Sequence, residues 1–91
     1  MTIRVEFFGI ARLRTATAAC DCACSLEGRS LADLFQELAG RFPDFATETL
    51  VAGRLRPQFI VNRNSDEFIR DPATIIRAGD TLLILSTDAG G

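Results

Sequence analysis

The sequence predicts an α+β fold in which a mixed sheet of about four to five strands packs on one main helix. Residues 3–10 and 19–26 alternate between apolar and polar positions, residues 31–42 repeat with a helical period, and Leu82–Leu85 is a continuous apolar run. An initial hairpin is followed by a helix that crosses it. A last strand that is parallel to the first, in the middle of the sheet, completes a β-grasp fold.

The first two strands are predicted from alternation. Residues 3–7 place their apolar side chains on one face, and Phe8 is a large aromatic residue on the otherwise charged second face. The alternation resumes over residues 19–26, which predicts a second strand paired with the first as a hairpin. Arg12–Thr17 is then the turn between the two strands.

The main helix is predicted from Leu31 to Phe42. Ser30 is a candidate N-cap, and Asp33 three residues later gives a capping box with Asp in place of the usual Glu. Pro43 ends the helix. The apolar residues that share one helical face are Leu31, Leu34, Phe35, Leu38 and Phe42.

The rest of the chain consists of short elements. Leu50–Val51 indicates a helical turn packed on the core, and Ile75–Ile76 another single helical turn. Gln58–Asn62 predicts a short strand, and Glu67–Arg70 a brief edge strand. The last strand is Thr81–Leu85.

The predicted core lies between the helix and the sheet. We expect one β-grasp domain over residues 1–85 and a flexible C-terminal diglycine tail over residues 86–91. The strand and helix patterns assign to the core Ile3, Val5, Phe7, Leu26, Leu34, Phe35, Leu38, Ile60, Leu82 and Ile84.

The amino-acid composition argues against several classes of function. The 91 residues carry a net charge of −2, which argues against a nucleic-acid partner, and no stretch is long and apolar enough for a membrane span. The first predicted strand contains Arg4 and Glu6, so the N-terminus does not resemble a signal peptide, and we expect a cytoplasmic protein. All ten basic residues are arginine, and histidine is absent. A chain without histidine or lysine is a poor candidate for acid–base or Schiff-base catalysis, so we do not expect an enzyme.

Three cysteines alternate along the second predicted strand. Cys20, Cys22 and Cys24 would share the face of Leu26, with alternate sulfur atoms about 7 Å apart. A straight strand cannot bring three such sulfur atoms onto one zinc ion, whose Zn–S distance is about 2.3 Å. We therefore expect reduced, structural cysteines and no metal site.

The last three residues are Ala89, Gly90 and Gly91. A diglycine has no Cβ atom, so it can pass through a narrow channel that would exclude residues with a Cβ atom. Residues 86–91, fully extended, reach about 20 Å, at roughly 3.3 Å each. That reach is enough to enter another protein's active site.

Four segments together resemble the ubiquitin-like sulfur-carrier family, which includes the small subunit of molybdopterin synthase (MoaD-like) and the thiamine sulfur carrier (ThiS-like). Ile3–Phe8 resembles the family's first strand, and Phe59–Asn62 its Val-Asn turn after the third strand. Ile76–Leu82 resembles the Gly-Asp entry to the last strand, and Ala89–Gly91 the family's terminus.

The resemblance implies a carrier rather than a catalyst. An E1-like activating enzyme would use ATP to adenylate the Gly91 carboxylate, and sulfur transfer would then leave a thiocarboxylate on Gly91. Gly90 would let the tail thread into the acceptor enzyme, such as the large subunit of molybdopterin synthase, with Ala89 in contact with the partner. The carrier itself would bind no cofactor.

The same resemblance gives the outer face of the sheet a role. Strand alternation turns Phe8, Leu83 and Leu85 away from the helix, and exposed apolar patches of this kind mark partner sites. In the family this face docks against both the activating enzyme and the acceptor enzyme. The alternative is that Phe45 or the loop around Leu50 covers the face.

The pathway stays open between several acceptors. Molybdopterin synthesis is the first expectation, but Ser86-Thr87-Asp88 is polar where molybdopterin-synthase small subunits usually carry an apolar, proline-containing run. Carriers for cysteine or thiamine synthesis are alternatives. A ubiquitin-like protein modifier and a plain interaction module remain the other classes.

Overall fold

The computed structural model describes residues 1–87 and contains one five-stranded mixed sheet, two short two-stranded ladders and three helices in that range. The elements are β1 (Thr2–Phe7), α1 (Ile10–Thr15), β2 (Ala19–Ala23), β3 (Arg29–Ser30), α2 (Leu31–Arg41), α3 (Pro43–Thr49), β4 (Leu50–Val51), β5 (Arg54–Leu55), β6 (Phe59–Arg63), β7 (Glu67–Ile69), β8 (Ile75–Ile76) and β9 (Thr81–Ser86).

The main sheet has the strand order β2-β1-β9-β6-β7. β1 and β9 are parallel in its centre, with Val5 opposite Leu82 and Phe7 opposite Ile84, and the other pairs are antiparallel. Central parallel strands are covered on a face by helix, which agrees with the apolar run in β9. The α+β, β-grasp prediction is therefore confirmed.

The connection of the first hairpin differs from the prediction. Residues 12–17 were expected to form a turn, but Ile10–Thr15 is the helix α1. Ala11 and Thr15, one helical turn apart, are both buried, and α1 contacts α3 and β9. The short arginine-rich segment becomes a helix because its small residues pack, which local pattern does not reveal.

The main helix is confirmed, with α2 ending at Arg41 and Phe42 as its C-cap. The Ser30 hydroxyl accepts a hydrogen bond from the Asp33 backbone N–H at 3.1 Å, which is the predicted N-cap. Four side chains of its apolar face are buried: Leu31, Leu34, Phe35 and Leu38.

Two predicted helical turns are strands. Leu50–Val51 pairs with β5 around Ala52 and Gly53, which have φ values of 52° and 76° and form the tight turn that such a hairpin requires. Ile75–Ile76 pairs with β3. Gly28, with φ of 82°, makes this second ladder possible, because a Cβ atom there would lie 2.6 Å from the Ile76 carbonyl oxygen.

Two of the predicted core residues are not in the core. Leu26 is 78% exposed, because β2 ends at Ala23 and Leu26 lies in the turn beyond it. Ile60 is only half-buried, because its neighbours Phe59 and Val61 take the two inward positions of β6. The eight other predicted core residues are buried: Ile3, Val5, Phe7, Leu34, Phe35, Leu38, Leu82 and Ile84.

The last strand runs one residue further than predicted. Ser86 belongs to β9, and the Thr87 backbone N–H donates to the Gln58 carbonyl oxygen at 2.7 Å. Of the predicted tail, Ser86 is thus part of the sheet and Thr87 is hydrogen-bonded to the residue before β6, while residues 88–91 lie outside the described part of the chain. Within residues 1–87 the longest helix has 11 residues, and no helix meets the length and apolarity of a membrane span.

Replacing Leu34 with Ala should lower the free energy of unfolding by about 2–5 kcal/mol, because Leu34 is fully buried at the centre of α2. Urea unfolding followed by circular dichroism measures the change. Ala32→Gly in the same helix is exposed and should cost only about 1 kcal/mol. A smaller loss for Leu34→Ala than for Ala32→Gly would contradict the packing of α2 on the sheet.

Candidate functional site

One face of the main sheet, opposite α2, carries a row of apolar side chains. Leu83 and Leu85 of β9 point to this outer face, because the residues that alternate with them are buried in the core. Leu85 lies opposite Ile60 of β6. The Phe8 backbone N–H donates to the Ile84 carbonyl oxygen at 3.0 Å, which extends the parallel pairing and places Phe8 beside Leu85.

A second row lies one step along the strands. Leu83 is opposite Asn62, and Asn62 is opposite Phe68 of β7. Directly paired residues project to the same face of a sheet, so Phe68 joins the apolar row. We call the resulting surface the outer patch; its members are Phe8, Ile60, Phe68, Leu83 and Leu85.

The outer patch is accessible. Phe8 is 60% exposed and Phe68 is 67% exposed, whereas the three members between them are half-buried. Phe45 does not cover the patch, because it is buried on the opposite side with its ring 5.5 Å from that of Phe7. Leu50 likewise packs against the core. The alternative that Phe45 or the Leu50 loop covers Phe8 is therefore wrong.

Charged side chains border the outer patch on β1. Glu6 is opposite Leu83, and its carboxylate accepts a hydrogen bond from the Arg4 guanidinium at 2.9 Å. Arg4 also lies opposite Asp21 of β2. Both members of the Arg4–Glu6 pair are exposed, so this ion pair contributes little stability.

The chain leaves the sheet at the end where Phe8 and Leu85 lie. Ser86 is opposite Phe59, the first residue of β6. Both the backbone N–H and the hydroxyl of Thr87 donate to the Gln58 carbonyl oxygen, at 2.7 and 3.1 Å. The C-terminal segment therefore starts from an anchored residue next to the outer patch.

The structure brings together the three predicted docking residues Phe8, Leu83 and Leu85 and adds Ile60 and Phe68. The other predicted site residues, Ala89, Gly90 and Gly91, lie outside the described residues, so their roles stay predictions. Phe68 is the addition that the sequence signals, because adjacent apolar residues of a strand, here Phe68 and Ile69, point to opposite faces of the sheet, so one of the two must face outward.

The cysteines lie on the other side of the molecule. Cys22 is buried and its sulfur atom is 3.6 Å from the Arg41 Nη1 atom, while Cys20 and Cys24 are half-buried and pack against the core. Burial raises the pKa of the Cys22 thiol to about 12. Burial also raises the pKa of Cys20. All three thiols are free, and their packing agrees with the structural role predicted for them.

Alkylation tests the structural role of the cysteines. With a pKa of about 12, only about one in 10⁴ of the Cys22 thiols is ionised at pH 8, so folded protein should resist iodoacetamide at Cys22. Mass spectrometry of digests should show full labelling of Cys22 only after denaturation. Cys22→Ala should lower the free energy of unfolding modestly. Rapid labelling of native Cys22, or stoichiometric metal in the purified protein, would contradict this role.

No family model matches the chain, and no match to a curated protein was found. Solved structures do match. SAMP1 of Haloferax volcanii, a small archaeal modifier protein, superposes with a TM-score of 0.83 at 18% identity, over 100% of both chains. A chain of the BexX/CysO complex from Amycolatopsis orientalis gives 0.75 at 22% identity, over 98% of this chain and 99% of that one.

A third match is a chain of the complex of subunits 1 and 2 of molybdopterin-converting factor from Helicobacter pylori. Its TM-score is 0.63 at 19% identity, over 100% of both chains. At these identities the likeness concerns the fold, and it extends over the whole length of each chain. The protein has the β-grasp fold of the ubiquitin-like sulfur-carrier family, the family that its sequence resembles.

Proposed function

We propose that this protein is a sulfur carrier whose Gly91 carboxyl group is activated and converted to a thiocarboxylate. The observation that carries the proposal is the exposed outer patch beside the end of β9, from which the chain continues to Gly90 and Gly91. A carrier needs a face that docks on its partner and, next to that face, a fixed residue from which the C-terminal segment starts. The segment can then deliver its terminal group into the partner's active site.

The chemistry takes place in two partners. An E1-like enzyme joins the Gly91 carboxylate to the AMP part of ATP and releases pyrophosphate. A persulfide sulfur then attacks the acyl carbon and displaces AMP, and a thiol cleaves the resulting S–S bond. The products are a thiocarboxylate on Gly91 and a disulfide on the donor side. The carboxylate is a poor electrophile without this activation.

Docking and reach work together in this proposal. The four residues after Thr87 extend by about 13 Å, at roughly 3.3 Å each. A partner bound to the outer patch therefore holds Gly91 close to a fixed position, which replaces a bimolecular encounter with a positioned one. The catalytic side chains belong to the partners in this proposal, because the chain has neither histidine nor lysine.

We propose the large subunit of molybdopterin synthase as the first acceptor to test. The fold match to subunit 1 of a molybdopterin-converting factor in complex with subunit 2 supports this choice. The Ser86-Thr87-Asp88 segment argues against this acceptor, because it is polar where molybdopterin-synthase small subunits usually carry an apolar run. The match to the BexX/CysO complex supports a different acceptor. A competition assay with acceptors for molybdopterin, cysteine and thiazole synthesis, with genome neighbours as the guide, would rank them.

Protein modification is the second candidate function, because SAMP1 is a modifier protein with this fold. The same activated Gly91 would then acylate an amine of a target. Since the chain has no lysine, it offers only its N-terminal amine for further attachment, so we expect single units rather than lysine-linked chains. The same feature prevents the activated terminus from reacting with a lysine of its own chain.

Intact-mass spectrometry distinguishes the two candidates. After incubation with ATP, the activating enzyme and a sulfur donor, thiocarboxylate formation adds roughly 16 Da, the difference between sulfur and oxygen. Conjugation instead gives an adduct with the mass of a target. Formation of neither product with an activating enzyme that is active on its own carrier would contradict the proposed function.

A further inference from the structure

The segment that anchors Thr87 is itself held by a side chain. Leu55–Phe59 leads from β5 into β6 and contains Gln58, whose carbonyl oxygen accepts both Thr87 hydrogen bonds. The guanidinium of Arg70, one residue after β7, donates to carbonyl oxygens of this segment: to Leu55 at 3.2 Å, to Pro57 at 3.5 Å, and to Phe59.

The Arg70 side chain binds backbone carbonyl groups at the point where the pairing of β6 with β7 ends. The pairing of β6 with β7 ends at Val61 opposite Ile69, so the start of β6 has no ladder partner on that side among the described residues. The Phe59 carbonyl oxygen, two residues before Val61, is bound by Arg70 instead. A planar guanidinium has five N–H donors in a fixed fork, so one side chain can hold several carbonyl groups at once.

We infer that Arg70 is a positioning residue for the C-terminal segment. It holds residues 55–59, these place the Gln58 carbonyl oxygen, and that oxygen places Thr87. Arg70 makes no ion pair within residues 1–87, so its guanidinium serves this backbone segment alone. The anchoring of Thr87 by Arg70 does not depend on the proposed function. Its consequence, the delivery of Gly91 to a partner, rests on that function.

Amide exchange measured by NMR tests the anchoring without any enzyme. In Arg70→Ala the Thr87 amide should exchange with water roughly tenfold faster, the loss expected when one hydrogen bond is no longer held in place. The Leu82 and Ile84 amides, in the centre of the sheet, should keep their exchange rates. Arg77→Ala is the matched control, because it also removes one positive charge, and within residues 1–87 the Arg77 guanidinium donates only to the Glu27 carbonyl oxygen, at 3.5 Å.

Two further variants complete the test. Arg70→Lys keeps the charge with fewer N–H donors, so the exchange rate of the Thr87 amide should lie between those of the wild type and Arg70→Ala. This variant also provides the test if Arg70→Ala does not fold. Thr87→Val removes only the hydroxyl contact to Gln58 and should speed exchange less than Arg70→Ala. In the activating-enzyme assay, Arg70→Ala should raise KM severalfold with a smaller change in kcat.

The inference is overturned by an unchanged Thr87 rate in both Arg70 variants, by equal acceleration in Arg77→Ala, or by equal acceleration at Leu82. The last result would mean that Arg70 only stabilises the fold. If Thr87 exchange accelerates as expected but no thiocarboxylate forms on the wild-type protein, the anchoring stands and the proposed function fails.

Discussion

Deleting Gly91 should abolish thiocarboxylate formation while the melting temperature stays the same. The deletion moves the terminal carboxylate back by one residue, about 3.3–3.6 Å. A displacement of about 1 Å at a reacting centre can already cost on the order of a hundredfold in rate. Gly90→Ala should also fail, because it adds a Cβ atom where the partner's channel must be narrow. Both changes lie beyond the end of β9.

Intact-mass spectrometry and a single-turnover adenylation assay measure the effect. Asp88→Ala is the matched control, since it changes the same segment but keeps its length and both glycines, and we expect it to be activated normally. Adding one residue after Gly91 should fail as the deletion does. Wild-type rates in the deletion variant would show that Gly91 is not the reacting residue, and the carrier proposal would be wrong.

The central strands were predictable because their pattern and their environment agree. β1 alternates, and β9 is an apolar run whose residues are buried on the inner face of the sheet and half-buried on the outer face. Alternation along these two strands also predicts that Phe8, Leu83 and Leu85 face outward. Three of the five residues of the outer patch were therefore predictable from the sequence. Ser30 and Asp33 likewise encode the start of α2 locally.

Ile60 shows where local pattern fails. Phe59-Ile60-Val61 is apolar throughout, so alternation cannot say which of the three faces the helix. The register against β9 decides: Val61 is opposite the buried Ile84, and Ile60 is opposite Leu85 of the outer face. Ile60 therefore belongs to the outer patch and not to the predicted core.

Strand ends and two-residue ladders depend on distant partners. Alternation continues to Leu26, but the pairing with β1 ends at Thr2 opposite Ala23, so Leu26 lies in the turn beyond the strand. The ladder of β3 with β8 joins residues more than 40 positions apart. Such pairs become visible only when the fold brings them together.

Replacing Phe8 with Glu should weaken binding to the activating enzyme on the order of a hundredfold without unfolding the protein. Phe8 is 60% exposed, so a charge there costs the folded state little, whereas at a docked interface it would be buried without a partner. Calorimetry or surface binding with the activating enzyme measures the loss. Phe68→Glu, at the far side of the outer patch, should weaken binding by a smaller factor.

Leu26→Glu is the matched control for this prediction. Leu26 is also a large apolar residue and is even more exposed, at 78%, but it lies in the turn after β2 and not in the outer patch. Its substitution should leave the affinity unchanged, which separates a local docking surface from a general effect of charge or of lost apolar area. Equal losses for Phe8→Glu and Leu26→Glu, or none for Phe8→Glu, would mean that the partner binds elsewhere. A loss confined to Phe8 and Phe68 would place the partner on the face beside which β9 ends, where Gly91 can reach its active site.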